Sequence, residues 1–225
     1  MKKIVFFDIN GTLIERDSRT DLPFMDAIDD TLGIKDSMVG INSAARSDKD
    51  VFMEVLNRSN IAFTDAIWEE LLKNYIIKLE AYKDSDIWRE NVDAISCVHY
   101  LSKKQIPLAL ITGELSLGAK YKLEKLGIWH YFATGGFGED GLHRFDIAKS
   151  ALNKANALYN TAFDEIFVVG DTLLDIDTAR HIGAKIISID TGANTRAELS
   201  SMNPDYIISR YLSSDGKGLI EQLFE

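Results

Sequence analysis

The sequence predicts an α/β protein in which a doubly wound parallel sheet carries an inserted all-helical domain. The first observation is that short apolar runs alternate with longer amphipathic stretches along most of the chain. These runs lack period-two alternation, which is typical of strands that are covered on both faces and joined by right-handed crossover helices. The second observation is that the stretch from about Glu15 to Asp86 contains helical patterns and no convincing strand. We therefore expect one sheet whose first strand is separated from the others by helices.

The apolar runs that we interpret as strands are Ile4–Phe7, Leu108–Ile111, Tyr131–Ala133, Ile166–Val169, Ile186–Ile189 and Tyr206–Ile208. Apolar residues at helical spacing fill the intervals between these runs, and Gly127 is a natural stop for one of the helices. The extent of the helical region sets the expected domain division. We expect an α/β core of residues 1–15 and 87–225 and a helical cap domain of residues 16–86.

The composition excludes several classes of function. A formal net charge of −10 on 225 residues argues against broad binding to nucleic acid or an anionic membrane, because both need a basic face. Cys97 is the single cysteine, so no disulfide forms within the chain, which is typical of the reducing cytoplasm. No apolar run approaches the roughly 20 residues of a membrane span, and the run after the basic start is too short for a signal peptide. We therefore expect a cytoplasmic protein with no nucleic-acid or membrane partner.

Polar residues follow three of the predicted strands. Asp8 follows the first strand, Thr112 and Gly113 follow the second, and Asp171 follows the fourth, with Asp175 four residues later. Ligands of open parallel sheets bind at the carboxyl ends of the strands. Carboxylates that converge there repel one another unless a cation lies between them, and oxygen ligands suit Mg²⁺. Each residue alone also fits a turn or a helix cap, but that interpretation does not account for the three strand ends together.

Three segments in chain order carry a resemblance to a known family: DINGTL at Asp8–Leu13, LITG at Leu110–Gly113 and GDTLLD at Gly170–Asp175. They resemble the motifs of the haloacid dehalogenase-like (HAD) hydrolase superfamily, whose first motif is usually D-x-D-G-T. The helical region after the first motif resembles the cap domain of phosphoglycolate phosphatase and β-phosphoglucomutase relatives. The resemblance covers nearly the whole chain, and it implies a Rossmann-like core and the hydrolysis of a small phosphorylated metabolite.

The resemblance also implies a role for each motif residue. Asp8 is the expected nucleophile, which attacks a phosphoryl group and forms an aspartyl-phosphate. Mg²⁺ is expected on the side chains of Asp8 and Asp171 and on the main-chain carbonyl of Asn10, and Asp175 coordinates the ion or orients its water. Thr112 and the neighbouring Gly113 N–H are expected to bind the phosphoryl oxygens. These roles agree with elementary chemistry, because a carboxylate that attacks an anionic phosphate needs a cation to neutralise the charge.

Two arginines are the candidate substrate-binding cations. The third family motif is usually a Lys, and in the branch suggested by GGFGEDGLHR an Arg takes its place, so we expect Arg144 to pair with the nucleophile and the phosphate. Lys149 is the alternative for this role. Arg46 belongs to ARSD at Ala45–Asp48, which resembles a cap segment that faces the active site in relatives, and we expect it to touch the substrate. The alternative is a surface Arg before a helix.

Two departures from the family pattern affect the predicted function. Asn10 stands where the phosphatases have the Asp that protonates the leaving group and activates water, and an amide cannot transfer a proton. Loss of a general acid or base commonly costs about 10² to 10⁴ in rate. Glu114 stands where this branch often has Asn, and we expect it in the first turn of a helix, where an acid suits the helix dipole. Near a phosphate it is repulsive unless it points away or binds a cationic part of the substrate.

Three functions fit these residues. The leading hypothesis is a Mg²⁺-dependent phosphoric-monoester hydrolase that is slowed by Asn10. The second is a protein on the same scaffold that binds phosphate esters without turnover. The third is a 2-haloacid dehalogenase, although the resemblance implies that dehalogenases have Tyr at position 10 and need no metal. Asp171 and Asp175 suggest a metal site and therefore favour the first two hypotheses.

Overall fold

The computed structural model describes residues 2–43 and 46–225, which form a six-stranded parallel sheet with helices on both faces. The strands are β1 Lys3–Phe7, β2 Leu108–Ile111, β3 Phe132–Gly136, β4 Glu165–Gly170, β5 Lys185–Ile189 and β6 Tyr206–Ile208. Their order across the sheet is β3-β2-β1-β4-β5-β6, which is the doubly wound, Rossmann-like order with its switch point between β1 and β4. The predicted fold class is therefore confirmed.

The third strand is the one whose predicted bounds are wrong. Tyr131 ends a short 3₁₀ turn instead of beginning the strand, and β3 continues beyond the predicted end at Ala133 to Gly136. The extension consists of polar Thr134 and two glycines, so a prediction based on apolar runs does not include it. The glycine at 136 has a packing reason, because a Cβ there would collide with the main-chain oxygen of Ile147 on the neighbouring helix.

Both faces of the sheet are covered by helices, as the apolar runs predicted. The helices are α1 Leu22–Leu32, α2 Asp48–Arg58, α3 Asp65–Ala81, α4 Ala94–Lys103, α5 Ser116–Lys125, α6 Arg144–Tyr159, α7 Leu173–His181, α8 Arg196–Ser201 and α9 Leu219–Leu223. On β1, Val5 and Phe7 pack in the apolar cluster that includes α4 and α5, whereas Ile4 and Phe6 pack in the cluster that includes α6 and α7. Residues Ile4–Phe7 of the first strand are therefore fully buried, which fixes the position of its carboxyl end.

Helices α1, α2 and α3 lie between β1 and α4 in the chain, and α1 packs against α3. Local capping explains where two of them begin: the hydroxyl of Ser47 accepts the N–H of Asp50, and that of Thr64 accepts the N–H of Ile67. We call residues 16–86 the helical insertion; its exact boundaries stay a prediction. Within residues 2–43 and 46–225, no helix combines the length and the hydropathy that crossing a membrane requires.

Candidate active site at the carboxyl edge of the sheet

Three buried carboxylates meet at the switch point of the sheet. Asp8 directly follows β1, Asp171 directly follows the adjacent β4, and Asp175 lies in the first turn of α7. One carboxylate oxygen of each residue lies within 4.8 Å of the other two. The topology therefore brings together the acids that the sequence placed at two separate strand ends.

Arg144 completes this group, which we call the strand-end cluster (Asp8, Arg144, Asp171 and Asp175). As the first residue of α6, it donates from Nη2 to Oδ1 of Asp8 at 2.6 Å and to Oδ1 of Asp175 at 2.6 Å. Its buried Nε has no hydrogen-bond partner among the described residues. Lys149, the alternative candidate, is exposed on the same helix.

The strand-end cluster holds more negative than positive charge. Burial, with the carboxylates of Asp175 and Asp171, raises the pKa of Asp8 to about 8 against the lowering effect of Arg144. Burial also raises the pKa of Asp171 to about 6, with Asp175 as the next cause. Because three converging carboxylates with one guanidinium offer hard oxygen ligands and an uncompensated charge, the residues fit a divalent cation such as Mg²⁺.

The loop after β1 is held in place by hydrogen bonds from residues inside and outside the predicted motifs. Gly11 has φ of 87°, and a Cβ there would collide with the carboxylate of Asp171. The Thr12 hydroxyl donates to Oδ1 of Asp171 at 3.2 Å. Asn91 donates from Nδ2 to the main-chain oxygens of Gly11 at 2.9 Å and Thr12 at 3.0 Å, and the Tyr211 hydroxyl donates to the latter oxygen at 3.0 Å. Sequence reasoning missed Asn91 and Tyr211, because both are distant in the chain and belong to no motif.

Thr112 and Gly113 lie at the end of β2, beside the strand-end cluster, as predicted from their position in the chain. Thr112 is buried, and its hydroxyl oxygen accepts the N–H of Glu114 at 3.2 Å. The main-chain oxygen of Gly113 accepts the N–H of Asp48 from the helical insertion at 2.8 Å. Helix α5 begins only at Ser116, so the prediction that Glu114 lies in its first turn is wrong. Glu114 precedes the helix and turns its side chain toward the insertion.

A second group of charges lies where the insertion meets the core, and we call it the junction cluster (Asp21, Asp48, Glu114 and Lys122). Glu114 and Lys122 are buried, Asp48 is half-buried and Asp21 is exposed. Lys122 donates to Oε1 of Glu114 at 2.6 Å and to Oδ1 of Asn10 at 3.3 Å, and its Nζ lies 3.9 Å from Oδ1 of Asp21. The hydroxyl of Tyr75 on α3 donates to the same Oε1 of Glu114 at 3.1 Å. Lys122 thus contacts the side chain that replaces the general acid and base of the family.

Sequence reasoning also missed Lys122, although one signal was present. Its side chain is 1% exposed, and it lies on the buried face of α5 with Ala119 and Leu123. A charged residue at the spacing of a buried helix face requires a partner, because an unpaired charge is costly to bury. Burial lowers and the Glu114 carboxylate raises the pKa of Lys122, with a net upward shift, so the ammonium remains charged.

Arg46 lies at the edge of the site with its charge already paired. Its Nε donates to Oδ2 of Asp50 at 2.6 Å, and its Nη1 forms an ion pair with Glu54. The side chain lines the cleft between the insertion and the core, so contact with a substrate stays a prediction. Ala45, the first residue of the ARSD segment, falls outside the described residues.

The cleft has a volume of about 380 Å³ and joins the two clusters. One wall carries the whole strand-end cluster together with Asn10, Thr112 and Gly113. The rest of the lining includes acidic and apolar residues, among them Asp21, Asp48, Glu114, Phe24, Met38, Ile41 and Val51. Such an arrangement suits a ligand with an anionic end at the sheet and a small organic group beneath the insertion.

Comparisons with known proteins agree with this architecture. The model of the family described as haloacid dehalogenase-like hydrolase matches residues 5–180. This chain is 26% identical over 205 residues to PpaX of Caldanaerobacter subterraneus subsp. tengcongensis, whose name provisionally describes a pyrophosphatase. The aligned residues are 91% of this chain and 89% of that protein.

Two solved structures extend the comparison to the fold. A predicted phosphoglycolate phosphatase from Haemophilus somnus superposes with a TM-score of 0.66 at 18% identity, covering 93% of this chain and 95% of that one. CbbY from Rhodobacter sphaeroides, in complex with phosphate, superposes with a TM-score of 0.66 at 16% identity, covering 98% and 99% of the two chains. At these identities the two structures show a shared fold.

Proposed function

This chain belongs to the haloacid dehalogenase-like hydrolase family, and from that premise we propose that it is a Mg²⁺-dependent phosphoric-monoester hydrolase acting on a small phosphorylated metabolite. The observation that carries the proposal is the strand-end cluster, in which Asp8 is paired with Arg144 beside Asp171 and Asp175. The names of the relatives support a phosphorylated substrate.

Asp8 is the proposed nucleophile. Arg144 holds Oδ1 of Asp8, which leaves Oδ2 to attack phosphorus, and the leaving oxygen departs with the electron pair of the P–O bond. Thr112 and the N–H of Gly113 bind phosphoryl oxygens, and the guanidinium of Arg144, which contacts Asp8, supplies positive charge beside them. Water then attacks the aspartyl-phosphate, which releases phosphate and restores the carboxylate.

Asp8, Asp171, Asp175 and the main-chain carbonyl of Asn10 are the residues that would hold Mg²⁺. When bound, the ion supplies neutralisation of the phosphate and of the converging carboxylates. The carbonyl ligand at position 10 does not depend on the side chain, so replacing Asp by Asn leaves the metal site intact. What Asn10 removes is the proton transfer, so that water must protonate the leaving oxygen and turnover is slow.

A second candidate function is a phosphate-ester-binding protein without useful turnover. The observation that favours it is the contact of Lys122 with Oδ1 of Asn10, since the amide is anchored in a charged network and has no proton to give. This candidate shares the strand-end cluster and differs from the first only in whether bound ester is hydrolysed.

Phosphate release from p-nitrophenyl phosphate, with and without Mg²⁺, tests the proposal. We expect Asn10→Asp to raise the rate by about 10² to 10⁴, and Asp8→Ala to abolish Mg²⁺-dependent release in both backgrounds. Asn153→Asp, an exposed amide on α6, is the matched control and leaves the rate unchanged. The intact mass verifies that Asn10, which precedes Gly11, has not deamidated.

The same assay separates the alternatives. Binding of phosphate esters with no release by either the unaltered chain or the Asn10→Asp variant favours the non-catalytic protein. Halide release from a 2-haloacid without metal would overturn the phosphatase assignment in favour of a dehalogenase.

A further inference from the structure

Only one of the two carboxylate oxygens of Glu114 forms hydrogen bonds with the described residues. Oε1 accepts hydrogen bonds from Lys122 and Tyr75, whereas Oε2 is buried with no partner among the described residues. The residue is 5% exposed and lines the cleft. Leaving a buried carboxylate oxygen unpaired costs free energy, so its position calls for a partner that the protein itself does not supply.

The junction cluster has the same shortage of positive charge. The carboxylates of Glu114 and Asp48, with exposed Asp21 at the rim, surround the single ammonium of Lys122. Burial and then the Glu114 carboxylate raise the pKa of Asp48 well above its usual range, and burial also raises that of Glu114. The side chain of Asp48 is oriented into this group, since its Oδ2 accepts the N–H of Leu115 at 2.8 Å.

The other cations of the cleft do not make up this shortage. Arg144 is engaged by the strand-end carboxylates, and Arg46 by Asp50 and Glu54. Arg16 lines the cleft from an exposed position. Lys122 is fully buried behind the cleft wall, so the unpaired oxygen of Glu114 marks a place for an external cation.

The packing around Glu114 fixes the position of its carboxylate. A Cβ on Gly118 would collide with the Tyr75 hydroxyl and with Oε1 of Glu114, so only glycine lets the two side chains meet on α5. Helix α3, helix α5 and the start of α2 thereby hold the carboxylate beside the cleft.

We propose that the junction cluster binds the ammonium group of the substrate's leaving group, so that the substrate class is an aminoalkyl phosphate. The inference rests on the proposed function, because the phosphate end is taken to lie at Asp8. An ammonium both donates a charged hydrogen bond to Glu114 and compensates the excess carboxylate, whereas the hydroxyl of a sugar phosphate leaves that excess in place.

The test compares two esters of matched size, 2-aminoethyl phosphate and 2-hydroxyethyl phosphate, by calorimetric titration of the full chain in saturating Mg²⁺. We expect the amine to bind about tenfold or more tightly than the alcohol, as one charged hydrogen bond in a buried site allows. Glu114→Gln keeps the shape of the side chain and should remove this preference while leaving the affinity for 2-hydroxyethyl phosphate within about twofold.

Asp17→Asn is the matched control, because Asp17 lines the cleft but is already paired with Arg19, and this variant should keep the preference. If Glu114→Gln does not fold, as its melting curve will show, Asp48→Asn tests the same cluster from the other side. Equal or weaker binding of the amine, or a preference that survives Glu114→Gln, overturns the inference alone. Failure of both esters to bind overturns the proposed function and the inference with it.

Discussion

The strand-end cluster and the junction cluster contain the same numbers of acidic and basic residues, but these residues come from different parts of the fold. Each places three carboxylates around one cation, Arg144 in the first and Lys122 in the second. All four residues of the strand-end cluster follow strands or begin helices of the core. The junction cluster takes Asp21 and Asp48 from the insertion, so it is complete only when the insertion packs against the core. The sheet thus fixes the chemistry, and the insertion completes the place for the leaving group.

The two clusters are joined through Asn10. Its side chain accepts a hydrogen bond from Lys122, and its main chain follows the strand that presents Asp8. Asp21 and Tyr75 of the insertion contact Lys122 and Glu114, so the insertion acts on the surroundings of Asn10 through the junction cluster, whereas Arg144 and its partners all belong to the core. This separation can be tested by removing one cation at a time.

Removing the cation of the strand-end cluster should have the largest effect. In the Asn10→Asp background, we expect Arg144→Met to lower kcat/KM for p-nitrophenyl phosphate at least about 10³-fold, because both nucleophile and phosphate lose their cation. Arg144→Lys should retain much more activity, since a single nitrogen, Nη2, contacts both Asp8 and Asp175. Lys149→Met, exposed on the same helix, is the control. A comparable loss in Lys149→Met would assign the third motif to that residue instead.

Removing the cation of the junction cluster should instead act on stability. Lys122→Met leaves Glu114 buried without its ion-pair partner, and breaking such a pair costs about 3 kcal/mol or more of the free energy of unfolding. Lys120→Met removes an exposed lysine from the same helix, where the ion pair with Glu124 is worth less than about 1 kcal/mol. Urea unfolding of the two variants measures the difference. Equal stabilities would mean that the junction charges are solvated and not buried as a group.

The strand-end cluster was predictable from the sequence because local rules determine it. A buried strand that ends in Asp8 presents that carboxylate at the edge of the sheet, and parallel pairing of β1 with β4 brings Asp171 beside it. Arg144 was found by resemblance to a motif, and it too begins an element of the core. Apart from β3, the predicted strands begin and end within one residue of the observed bounds, because each of these strands coincides with an apolar run.

The junction cluster was not predictable because no local rule connects its members. Glu114 was predicted in the first turn of a helix that begins two residues later, and Lys122 belongs to no motif. Their meeting with Tyr75 depends on how α3 lies against α5, which the sequence of either helix does not state. Asn91 shows the same limit, since its contacts with the loop after β1 cross about a third of the chain.

The smallest change, Tyr75→Phe, removes one hydroxyl between the insertion and Glu114. Because Lys122 still pairs with Oε1, we expect a loss of only about 1 to 2 kcal/mol in the free energy of unfolding. Tyr82→Phe is the control, since its hydroxyl bonds Asp26 within the insertion and should cost a similar free energy. Only Tyr75→Phe should also change the affinity for 2-aminoethyl phosphate, because it frees the Glu114 carboxylate to move. If both variants change this affinity alike, the junction cluster acts through general stability and not through the position of Glu114.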